Sequence, residues 1–179
     1  IDECGVCEGV SHVYGYHTIA AGYSHSIAIQ TDGTVKAWGS NIFGQKNVPE
    51  DLSNVLSISA AGYHSLALKI DSTVVAWGDN SEDQINVPEN LSGVVSVAAG
   101  FYHSLALKSN GSVVAWGDNS EDQINVPENL SDVVSVAAGY SHSLALQADG
   151  TVIGWGNNTS GQINVPIDLY NVISIAAGY

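Results

Sequence analysis

An all-β fold, a propeller-type array of four-stranded blades, is what this sequence predicts, and three observations carry the prediction. Trp38, Trp77, Trp116 and Trp155 each precede a glycine at a constant step of 39 residues, and His25, His64, His103 and His142 keep the same step. A period of this length marks an array of supersecondary units, none of which buries its apolar face alone. Asp32-Gly33, Asp71-Ser72, Asn110-Gly111 and Asp149-Gly150 recur between alternating runs, where such pairs favour the positive φ angles of a two-residue hairpin turn. Val, Ile, Ala and Trp dominate the runs, no stretch carries helical i, i+3, i+4 spacing, and Met is absent.

The elements follow in order. Residues 1–15 form a Cys-containing segment, and residues 16–179 hold about four blades. Cys4, Cys7, His12 and His17 spell C-x2-C-x4-H-x4-H, which has zinc-knuckle spacing. Against a metal, His17 lies where the first inner strand begins, and the glycines and basic residues of a knuckle are missing. The segment resembles the DECGVCGG linkers between domains of large secreted bacterial proteins, so a linker or local disulfide is the preferred reading.

Each repeat, read from Val94, offers four runs: VVSVAAG, FYHSLALK, SVVAWG and INVP. The strand nearest a propeller axis must be lined with small residues, and the Ala-Ala-Gly endings at Ala20, Ala60, Ala98, Ala137 and Ala176 meet that demand. The bulky Trp of the third run then belongs further out, between blades. Val172 to Gly178 adds one extra first strand.

The frame AAGYSHSLAL, DGTV, AWG, N, GQ, NVP resembles the regulator of chromosome condensation repeat, in the short form seen in the secreted beta-lactamase inhibitor protein II. The resemblance spans roughly residues 16–179 and implies a β-propeller, commonly seven-bladed. At this period seven blades need about 273 residues. The chain is therefore expected to be part of a longer protein, or to complete a ring as a homodimer. Propellers of this family differ widely in function, so the fold alone assigns none.

Composition narrows the partners. The formal net charge is −14, with only Lys36, Lys46, Lys69 and Lys108 as cations, and such a surface repels phosphate backbones. Nucleic-acid binding is not expected. An extracellular or bacterial cell-surface location suits this acidity, and no apolar run is long enough to span a membrane.

Strand alternation puts the AAGY loops and the DNSEDQ loops on one face and the Asp-Gly turns on the other. Tyr23, Tyr63, Phe101, Tyr140 and Tyr179, each following the glycine, with Tyr102 added, should form an inner arc. Outside it stand Asp79, Glu82, Asp83, Asp118, Glu121 and Asp122. Aromatics ringed by carboxylates favour a protein partner with a basic surface. The competing reading makes the aromatics a cap on the core and the array a structural or adhesive spacer. Val113–Leu130 repeats Val74–Leu91 without a change, as a spacer would. A third reading is a secreted enzyme inhibitor, as the resemblance implies.

The recurring residues His25, His64, His103, His142, Trp38, Trp77, Trp116 and Trp155 are read as structural, because four equivalent positions are too dispersed to share one ion or proton. Clustered acids in DNSEDQ match no calcium loop spacing, and units one and four lack them. No enzyme is expected, since every potential catalytic residue recurs in each unit, and no cofactor is expected either.

Overall fold

The computed structural model describes residues 18–178. Among them are twelve strands and no helix. They form four antiparallel sheets of three, each in simple chain order. The first holds β1 (Ile19–Ala21), β2 (His25–Ile29) and β3 (Val35–Gly39); the second holds β4 (Val55–Ala61), β5 (His64–Lys69) and β6 (Val74–Gly78). The third holds β7 (Val94–Ala99), β8 (His103–Lys108) and β9 (Val113–Gly117); the fourth holds β10 (Val133–Ala138), β11 (His142–Gln147) and β12 (Val152–Gly156). The leading strands β1, β4, β7 and β10 lie side by side from sheet to sheet, so their small residues line the common axis.

The all-β, repeated architecture is as the sequence predicts, with three corrections. Each sheet has three strands rather than four. The INVP run forms no ladder because its polar groups are used locally: Val87 N donates to Ile85 O at 2.9 Å and Leu91 N to Pro88 O at 3.0 Å. Pro88 itself has no N–H to offer a neighbouring strand.

The hairpin loops hold three residues rather than two. Gln30 N donates to Thr34 O at 2.8 Å and Gly33 N to Gln30 O at 2.9 Å, which leaves only Gly33 at positive φ (78°). This is a type I turn followed by a left-handed residue. The Asp32 carboxylate fixes it, accepting from Thr34 N at 3.0 Å and Thr34 Oγ1 at 2.6 Å.

The third correction concerns Val172–Gly178. It has the inner-strand sequence, but no strand among the described residues pairs with it.

The core lies between sheets. Leu66 and Leu68 of the second sheet pack with Val94, Val97, Ala106 and Trp116 of the third. Leu105 and Leu107 of the third meet Val136, Ala145 and Trp155 of the fourth in the same way. Each fully covered leucine contributes about 1.5–3 kcal/mol of transfer free energy. Trp77, Trp116 and Trp155 are 4–6% exposed, whereas Trp38, with no described sheet ahead of it, is 48% exposed. Burial of this tryptophan is thus a property of the stack and not of the single sheet.

Candidate functional site: the aromatic loop face

Two loops of each unit are tied edge to edge. Ser40 N donates to Ser24 O at 2.8 Å, Asp79 N to Tyr63 O at 3.0 Å, Asp118 N to Tyr102 O at 2.9 Å and Asn157 N to Ser141 O at 2.8 Å. These four equivalent bonds put the AAGY and DNSEDQ loops on one face. The Trp-Gly glycine makes the approach possible: at Gly78 (φ 112°) a Cβ would lie 2.5 Å from Tyr63 O.

The same bonds correct one assignment. Tyr63 stands where Tyr102, Ser24 and Ser141 stand, one position outside the inner arc, and Gly62 takes the place of Tyr23, Phe101 and Tyr140. Ladder register gives the reason, since Ala60 faces Ser65 just as Ala99 faces Ser104 and Ala138 faces Ser143. The second unit reads AAGYH where the others place one more residue before the histidine; Ser59 offsets the difference, and the step of 39 is unbroken. Phe101 uses the space: a Cβ on Gly62 would lie 2.2 Å from Phe101 O.

The rings nevertheless gather. Phe101 is buried at the centre, 5.8 Å from Tyr23, 5.4 Å from Tyr63, 4.6 Å from Tyr102 and 4.6 Å from Tyr140 between centroids. The Tyr23–Tyr63 pair stands at 5.5 Å with ring planes 72° apart, edge to face as ring quadrupoles prefer. Phe43, a residue the sequence reading did not place in the site, joins at 4.6 Å from Tyr63. Its signal in the sequence is the break at Ile42-Phe43 from the DNSEDQ pattern. Tyr179 lies outside the described residues.

A cavity of about 240 Å³ opens at the axis, lined by the rings of Tyr23, Phe101 and Tyr140 together with Ala61, Gly62 and Gly139. Tyr23 is 62% exposed at its rim, and Phe43 and Tyr140 are partly exposed. The Tyr102 hydroxyl is pushed above its usual pKa, first by desolvation, then by neighbouring Tyr140, and further by Tyr63 and Asp79.

The six acids divide into two kinds. Asp79 staples its own loop, accepting from Ser81 Oγ at 2.9 Å and Gln84 Nε2 at 3.1 Å; Asp118 does the same with Ser120 and Gln123. Asp83 and Asp122 adopt positive φ near 60° and accept from Asn86 and Asn125 at 2.7 Å. Glu82 and Glu121 point outward, and Glu121 Oε2 accepts from Asn157 Nδ2 of the next sheet at 2.7 Å.

Below this surface the conspicuous histidines join sheet to sheet. His64 Nε2 lies 2.9 Å from Ser104 Oγ, and Ser104 Oγ donates to Gln84 O at 2.9 Å. Because the serine hydrogen is already used, His64 carries its proton on Nε2 and donates. Trp116 Nε1 donates to the same Gln84 carbonyl at 2.9 Å. His103, Ser143, Gln123 and Trp155 repeat the arrangement.

Burial first, and then neighbouring histidines, pushes His64 down to about 3; burial likewise takes His103 to about 4. Both are neutral bridges between sheets. The buried glutamines Gln45, Gln84 and Gln123 are the hub that the sequence reading passed over, although they too recur every 39 residues.

Among the described residues no three His, Cys, Asp or Glu side chains converge as metal ligands. Cys4, Cys7, His12 and His17 lie outside the described residues. Among the described residues no helix is long and apolar enough to cross a membrane.

The regulator of chromosome condensation (RCC1) repeat matches residues 16–45, 55–84, 94–123 and 133–162. The chain belongs to this family. Its four matches end at Gln45, Gln84, Gln123 and Gln162, so each repeat carries one His, Ser, Trp and Gln of the kind that meet between successive sheets. Yeast RCC1 (Prp20), solved bound to Kap60, is 25% identical with a TM-score of 0.72, over 86% of this chain and 47% of that one. Prp20p from Saccharomyces cerevisiae, described with its binding to Gsp1p and histones, is 24% identical with a TM-score of 0.73, over 89% and 52%. The ectodomain of the Physcomitrella patens receptor kinase CR4 is 20% identical with a TM-score of 0.76, over 90% and 48%. The RCC1-type chain therefore spans about half the length of these structures. No curated protein matches it.

Proposed function

We propose that this RCC1-repeat array is a protein-binding module of a larger secreted or cell-surface bacterial protein, and that it binds through the aromatic loop face. The observation that carries the reading is the gathering of Tyr23, Phe43, Tyr63, Phe101, Tyr102 and Tyr140 at one mouth of the axis, with Tyr23 largely exposed. Rigid aromatic area around a side-chain-sized cavity is the composition of binding hot spots. The yeast relative, bound to Kap60, supports protein partnership as a use of this scaffold. Net acidity and few lysines support an extracellular setting and a partner with a basic surface. An enzyme inhibitor of the beta-lactamase inhibitor type would use the same face, and no catalytic role is assigned to any residue.

The half-exposed Trp38 supports assembly with a further sheet, supplied by more repeats or by a second copy in a homodimer. The spacer reading is favoured by one observation only, the unchanged copying of Val74–Leu91 in Val113–Leu130.

Panning the immobilised chain against a random dodecapeptide library tests the proposal. Peptides should enrich, and a Tyr23→Ser/Tyr140→Ser variant should lose them while its stability falls by less than about 1 kcal/mol. Enriched peptides that bind the variant as well as the parent would contradict it.

A further inference from the structure

The loop face is not uniform around the axis. Four loops occupy equivalent places, and the residue opening each is Ser40, Asp79, Asp118 or Asn157. Three positions later come Phe43, Glu82, Glu121 and Ser160. At the junction of the third and fourth sheets, Glu121 accepts a hydrogen bond from Asn157. At the preceding junction Glu82 and Asp118 hold the places in the repeat that Glu121 and Asn157 hold here, which makes two acceptors where the other junction has an acceptor and a donor. At the first junction the corresponding residue is Phe43, beside Ile42, which is 83% exposed.

No ion pair among the described residues reaches this face. The one present, Lys69–Asp71 at 3.3 Å, sits at a hairpin on the opposite face. Between the apolar and acidic junctions lie the rings of Tyr63, Phe101 and Tyr102. A cation travelling along them gains from the ring faces as well as from the carboxylates.

We propose that the face is docked by an extended protein segment that seats an apolar side chain against Ile42, Phe43 and Tyr63 and an Arg or Lys at the Glu82–Asp118 junction. This rests on the reading of the loop face as the binding surface and adds the partner's chemistry and its direction. Guanidinium or ammonium supplies there the donors that Asn157 supplies to Glu121 one junction on. The partner's apolar and basic residues lie apart, in a fixed order around the axis.

The test uses a peptide enriched on the chain, and the same peptide with each Arg replaced by citrulline and each Lys by norleucine, so that charge is lost and length retained. It also uses Glu82→Gln/Asp118→Asn. Asn157 already performs the stapling role with Thr159 and Gln162, so Asp118→Asn keeps that loop closed.

Enriched peptides should carry Arg or Lys together with an apolar residue. The uncharged peptide should bind the parent chain about tenfold more weakly at low salt, and it should not discriminate between the parent and the Glu82→Gln/Asp118→Asn variant. Ile42→Ser/Phe43→Ser should weaken charged and uncharged peptides alike. Enrichment without basic residues, or equal binding of the charged peptide to the parent and to Glu82→Gln/Asp118→Asn, overturns the inference and leaves the loop face standing. Failure of any peptide to enrich, or retention on Tyr23→Ser/Tyr140→Ser, overturns both.

Discussion

The space between the sheets and the mouth of the axis are built from the same repeat, yet they differ in what repetition does to them. Between sheets, His, Ser, Gln and Trp meet in one geometry, and each junction reproduces the last. At the mouth, equivalent places hold Tyr, Gly, Phe and Tyr in the inner arc, and Ser, Asp, Asp and Asn at the loop openings. Uniformity is what stacking requires, because every sheet must fit both its neighbours. Variation serves a surface that meets something other than another copy of itself.

The largest effect should separate a stacked tryptophan from an unstacked one. Trp116→Ala removes an indole from between the second and third sheets and takes from the Gln84 carbonyl one of its two donors, so it should cost about 3–5 kcal/mol in chemical denaturation. Trp38→Ala, the same change at an equivalent site, should cost less than about 1 kcal/mol, because Trp38 is already half in water. Equal costs would mean that burial between sheets is not what this residue provides.

A smaller effect should appear on acidification. His64 and His103 have folded pKa values depressed from 6.5 to about 3 and about 4, so the unfolded chain takes up protons first as pH falls. Their stabilising contribution is fully present above pH 6.5 and is lost as pH falls towards about 4 for His103 and about 3 for His64. The slope is up to about 1.4 kcal/mol per pH unit for each histidine. Asp32, Asp71 and Asp149, held below 3.8 mainly by hydrogen bonds from Thr34, Thr73 and Thr151, add their loss as pH falls through 3.8, at the acid end of the histidine response. Urea midpoints of His103→Gln should fall less steeply than the parent's between pH 6.5 and 4.5, whereas parallel curves would remove this histidine from the pH response.

Much of this comparison was legible in the chain. The step of 39 residues gave the sheets and their number, and the turn pairs located the hairpins. Strand alternation put the aromatic and acidic loops on one face. What stayed hidden was three-dimensional bookkeeping. The INVP run is apolar enough to read as a strand, yet its N–H groups turn back on the chain and its proline has none to give. Tyr63 follows a glycine as Tyr23 and Tyr140 do, and only ladder register shows Gly62 in their place. The role of Gln84 rests on its main-chain carbonyl, to which both Trp116 and Ser104 donate, and a main-chain acceptor has no sequence signature. Phe43 was visible only as a break in symmetry, until its ring was found against Tyr63.

Amide hydrogen exchange of the full chain, with and without a peptide enriched on it, tests the central claim most directly. Binding at the mouth should slow exchange in residues 40–44, 62–64, 79–83, 100–103 and 118–122, leaving the hairpins at 30–34, 69–73, 108–112 and 147–151 unchanged. Protection of the hairpins with exchange at the mouth unaltered would contradict the account.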